Sequence, residues 1–175
     1  MSIKEKWHTL DSQKRFLLSY PFFFLLLFGL FYWGEYWQGF EFAKAIDIFH
    51  RDTIMQILSL VVDEPIKGYK VLFDNHTRLV ITPECNGLVP FLMLAAAILA
   101  YPSSIKLKLK WLLIAYISFM VANIVRLIGV YFAIKSFGVE SFYIAHDIIG
   151  NLFLIALGAF IFFQYLGNIY ANKTY

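Results

Sequence analysis

The sequence predicts an all-α integral membrane protein, a single polytopic domain over residues 1–175 with about four transmembrane helices, an outer-face amphipathic helix and a β-hairpin. Three observations carry that expectation. The chain is 60% hydrophobic and 15% charged, whereas a soluble domain is nearer half apolar and a quarter charged. Apolar stretches recur at about the 20 residues that a roughly 30 Å hydrocarbon core demands. The lysines gather between those stretches, as topology signals do, and not along a basic stripe with interleaved aromatics, so the net charge of +3 does not point to nucleic acid.

Residues 1–15 carry Lys4, Lys6, Lys14 and Arg15 against Glu5 and Asp11, a cytoplasmic flank. The first span, 16–36, is too long and bulky for a signal peptide and lacks a small-residue cleavage site, so it reads as a retained anchor. Tyr32, Trp33, Tyr36 and Trp37 form an aromatic belt at its far end. Residues 42–62 alternate Ile46, Phe49, Ile54, Ile57, Leu58 and Val61 with Asp47, His50, Arg51 and Asp52. Spanning with such charges near mid-helix costs roughly 3 kcal/mol for the worst of them. An amphipathic helix on the outer membrane face, or against the bundle, is cheaper.

A hairpin is expected over 66–82, with strands 69–73 and 78–82 around the turn-rich Asp74-Asn75-His76. The second span, 88–105, is rich in small residues (Ala95, Ala96, Ala97) and is expected to run past Pro102 as lysine stems snorkel. Lys106, Lys108 and Lys110 then mark a cytoplasmic loop, and spans 111–132 and 144–165 complete the bundle with both termini inside.

The chain has one cysteine, Cys85, so no intramolecular disulfide can form. It stands just before a helix N-terminus, where Pro90 suits the first turn and the dipole favours a thiolate. Glu84 and Asn86 flank it with polar side chains, and Gly87 relaxes the backbone. An inert buried thiol would also fit this stretch taken alone. Arg126 is the stronger anomaly, because an arginine inside a spanning helix is functional unless it snorkels to the headgroups. Asn123, three residues earlier, shares its face. His146 opens the last span on the same side, so the topology gathers thiol, imidazole and cation in one outer-leaflet layer, the parts of covalent acyl-transfer chemistry. Asp147 is placed to orient an imidazole or to pair with Arg126, and direct pairing with His146 is the less favoured because adjacent residues do not share a helix face. Asp47, His50, Asp52 and His76 match no tight metal motif and read as a solvated face; neither metal nor cofactor is expected.

Cys85-x-Gly87 opening a helix, Asn123-x-x-Arg126 within the next, and His146-Asp147 with Gly150 opening the last resemble the exosortase/archaeosortase family, over roughly residues 58–165. The resemblance implies a short-chain member of a family of membrane-embedded cysteine transpeptidases, with Cys85 as nucleophile and Arg126 and His146 as its partners. It implies a prokaryotic cytoplasmic (inner) membrane and, as substrates, exported proteins bearing a C-terminal motif, a transmembrane helix and a basic tail. The acceptor, whether water, an amine or a lipid headgroup, is left open by the residues. The rival from another class is a non-catalytic membrane partner or small transporter subunit with Asn123 and Arg126 lining a polar path; neither internal symmetry nor broken helices favour it.

Overall fold

The computed structural model describes residues 11–32, 41–85 and 87–171. Along the chain come α1 (Ser12–Leu27), α2 (Glu41–Leu58), β1 (Lys70–Leu72), β2 (Arg78–Val80), α3 (Leu88–Ala100), α4 (Ile105–Phe137) and α5 (Asn151–Ala171). Two π-helical segments extend them: Phe28–Tyr32 prolongs α1, and Tyr143–Gly150 leads into α5. Three of the described helical stretches, Gln13–Tyr32, Ile105–Phe137 and Tyr143–Ala171, are long and apolar enough to cross a membrane. Trp33, Asn86 and the other undescribed positions, including most of the expected aromatic belt and part of the first span, lie outside these residues.

The second expected span, 88–105, is shorter than the sequence suggests. Pro102 disfavours the helical region for the residue before it, and Tyr101 accordingly sits extended at φ −75°, ψ 134°, so α3 stops at Ala100 instead of running to 105. Its 13 residues rise only about 20 Å. α3 nevertheless is the hub: it packs against α1, α4 and α5, with Ala95 and Ala96 buried where backbones come close. The lysines expected in a loop belong to a helix. The Ser104 hydroxyl accepts from the Leu107 N–H and caps α4, which places Lys106, Lys108 and Lys110 in its first turns. Lys108 Nζ in turn donates to Leu99 O at 2.5 Å, satisfying a carbonyl at the end of α3.

α2 lies against the bundle, on α4. Its apolar residues do not all face inward: Phe42 and Phe49 are exposed, while Asp47 and His50 are buried. The solvated-face expectation for those two is therefore wrong. Asp47 pairs with Arg51, and His50 Nε2 meets the Tyr116 hydroxyl at 2.9 Å, so the polar groups find partners inside while aromatic rings face outward. Asp52 and His76 remain exposed, and no group of three or more potential metal ligands occurs among the described residues.

The hairpin forms in the expected place with shorter strands. β1 and β2 pair antiparallel, Val71 opposite Leu79, and both of those side chains are buried. Asp74 Oδ1 accepts the N–H groups of His76 and Thr77 at 2.7 Å each, closing the turn. Val71, Leu79 and Ile81 then pack with Ile54 and Leu58 of α2 and with Leu127 and Tyr131 of α4 around Cys85. Burial on this scale anchors the chain leading into the thiol.

Candidate functional site

Cys85 ends a 3-10 turn, Pro83–Cys85, whose last N–H returns to Thr82 O at 2.9 Å. The chain then enters α3 through Gly87, at φ 76°, a left-handed conformation that side chains resist. A Cβ at Gly87 would also meet Asn123 Cβ at 2.9 Å, so glycine lets this loop settle onto α4. Asn123 holds it there, donating from Nδ2 to Cys85 O at 2.8 Å. Neither Asn86 nor the Glu84 side chain lies within the described structure.

Arg126 stands one turn further along α4 and is 8% exposed, beside a fully buried Asn123. The helix runs on to Phe137, which leaves Arg126 about 16 Å from its C-terminal end and not the shorter distance the expected bound at 132 implied. The guanidinium donates from Nη1 to Asn123 Oδ1 at 3.2 Å and from Nη2 to His146 O at 3.4 Å. Nη2 also lies 2.8 Å from His146 Nε2, and Nε is buried with no partner among the described residues. No described carboxylate forms an ion pair with it. A buried cation bonded only to neutral groups is costly and retains most of its capacity to attract an anion. Gly150 makes the space: a Cβ there would lie 2.6 Å from Nε of Arg126.

His146 sits in the π-helical segment, stacked on Phe142 with ring centroids 4.9 Å apart. Its Nδ1 is 2.8 Å from Asp147 Oδ1, the direct pairing that α-helical geometry disfavoured. A π-helix has more residues per turn, so consecutive side chains diverge less. With a carboxylate at Nδ1 and a guanidinium that can only donate at Nε2, the imidazole carries its proton on Nδ1 and presents a lone pair at Nε2. That same Nε2 is 3.6 Å from Cys85 Sγ.

The thiol also contacts the Thr82 hydroxyl at 3.4 Å. Burial pushes the Cys85 thiol up, but its hydrogen-bonded contacts with His146 and Thr82 outweigh it and leave the thiol below its ordinary value. Thiol, imidazole and guanidinium, drawn from the loop before α3, the segment before α5 and α4 itself, thus share one cluster, with Asn123, Gly87 and Asp147 in supporting contacts. Thr82 and Gly150 join them. Gly150 is visible in the sequence as a small residue opening the last helix, but Thr82 carries no signal apart from its place three residues before the cysteine.

A protein-family model described as transmembrane exosortase matches residues 7–163. No curated protein and no solved structure matches the chain.

Proposed function

Because the chain belongs to the transmembrane exosortase family, we propose that it is a membrane cysteine transpeptidase or protease that cleaves the C-terminal sorting signal of exported proteins through a Cys85 thioester. The observation that carries this reading is the bifurcated environment of one nitrogen. His146 Nε2 faces the Cys85 sulfur at 3.6 Å and the Arg126 guanidinium at 2.8 Å.

In this reading Nε2 takes the thiol proton as the sulfur attacks the substrate carbonyl carbon. Once protonated, Nε2 no longer accepts from Arg126, and the released Nη2–H turns to the oxyanion that forms at the same moment. The imidazolium then returns its proton to the leaving amine as the C–N bond breaks, leaving a thioester. An acceptor X–H resolves the thioester: its proton goes to Nε2, its heteroatom bonds the acyl carbon, and the thiol is restored. Asp147 holds the imidazole tautomer throughout.

The lysine distribution supports a topology with both termini cytoplasmic and the cluster toward the outer face of a prokaryotic inner membrane. The test is mass spectrometry of the protein co-expressed with exported proteins bearing such a signal. An acyl adduct on Cys85 is expected, with Cys85→Ser binding the same proteins uncleaved. An adduct on another residue, or full cleavage by the serine variant, would remove the thiol from the reaction.

A further inference from the structure

A groove of about 480 Å³ runs past the His146 ring.

 Its walls are Tyr32, Pro90, Met93 and Ile155, and its polar members are Arg126, His146 and Asn151. An open groove of this size beside the ring has room for a short length of extended peptide. A strand lying there brings unpaired N–H and C=O groups into an apolar wall, where each needs a partner.

Asn151 can supply both. Its carboxamide carries an acceptor and two donors, and it has no hydrogen-bond partner among the described residues. In an α-helix it would point roughly 140° away from His146, five residues earlier. The wide π-helical segment Tyr143–Gly150 instead sets both side chains on the same groove.

We propose that this groove binds the acyl-donor substrate as an extended peptide and that Asn151 pairs with its backbone, presenting the carbonyl to Cys85. The assignment rests on the reading of Cys85 as nucleophile and adds the substrate's conformation and a positioning residue to it. Pairing with backbone, and not with a side chain, makes this contact indifferent to the substrate's sequence.

Two thiol reagents test it on the full-length protein in liposomes. Acetyl-trialanyl chloromethyl ketone has a peptide backbone; iodoacetamide does not. In each case the thiolate displaces halide and a C–S bond forms. The peptidyl reagent should saturate with the native protein. In Asn151→Leu its half-saturating concentration should rise about tenfold, as the loss of two ordinary hydrogen bonds implies, with the limiting rate within about threefold. The iodoacetamide rate should stay unchanged, and Asn151→Gln should recover part of the loss. Leu152→Ala, at an exposed neighbour, should match the native protein with both reagents. Unaltered saturation in Asn151→Leu, or no saturation in the native protein, would overturn the groove assignment alone. Silence of Cys85 toward both reagents would overturn the nucleophile reading and the groove with it.

Discussion

Gly150 and Arg126 are in contact so close that a single added methyl group on the glycine would stand 2.6 Å from the guanidinium Nε. The position of the buried cation therefore depends on the absence of a side chain on another helix. Gly150→Ala should assemble in the membrane and yet lose activity about a hundredfold, the cost of moving a reacting group by about an ångström. Substrate turnover beside a thermal-stability measurement checks this; near-native turnover would show that Arg126 has room to move.

Arg126→Lys keeps the charge and discards the planar fork. The native side chain contacts Asn123 and His146 at once, which one ammonium cannot reproduce at the same two points. Turnover should fall below about 1% of native, the scale of losing an oxyanion donor. Substantial activity in the lysine variant would reduce the role of Arg126 to charge alone.

The pH dependence of Cys85 has a definite sign. Its thiol is lowered, so the rate of alkylation should rise with pH through a midpoint below that of an unperturbed thiol. Burial opposes that shift, and the His146 and Thr82 bonds produce it. Removing the ring in His146→Ala leaves burial with less to oppose it, and the midpoint should move up; Thr82→Val should move it up by less. Iodoacetamide rates across pH 5 to 10 measure each midpoint.

Asp147→Asn keeps the size of the side chain and removes its charge. The carboxylate at Nδ1 is partly exposed, so its removal should lower kcat by about tenfold and not abolish it. KM should change little. A loss confined to KM would place Asp147 in substrate binding instead.

Reporter fusions test the topology that the lysines imply. Asn75, in the hairpin turn, and Lys106, in the first turn of α4, should report opposite sides of the membrane, Asn75 outside. Finding Asn75 inside would reverse the face on which the cluster opens.

The residues most legible in the sequence are those that break a rule of their surroundings. Arg126 and Asn123 interrupt an apolar helix, and the fold buries both. The hairpin is legible because Asp74 and its neighbours carry turn chemistry between two apolar runs. The inward side of α2 is not, because a solvated-face reading assumes water outside, and here Asp47 and His50 are inside with Phe42 and Phe49 outward. The pairing of His146 with Asp147 escapes a reading based on 3.6 residues per turn, since the segment is π-helical. Asn151 escapes for the same reason: its relation to His146 comes from the local widening of the helix, which no apolar periodicity records.

The brevity of α3 ties the depth of the thiol to the opposite surface. If Lys106, Lys108 and Lys110 hold the inner end of the bundle among the headgroups, a helix of about 20 Å leaves its other end roughly 10 Å short of the far edge of a ~30 Å slab. The cysteine would then work in a recess, below the level where bulk solvent begins. Water in such a recess is scarce, and a thioester there would outlive one on an open surface. Its fate would be decided by which acceptor can descend to it, so that selection between hydrolysis and transfer becomes a matter of depth.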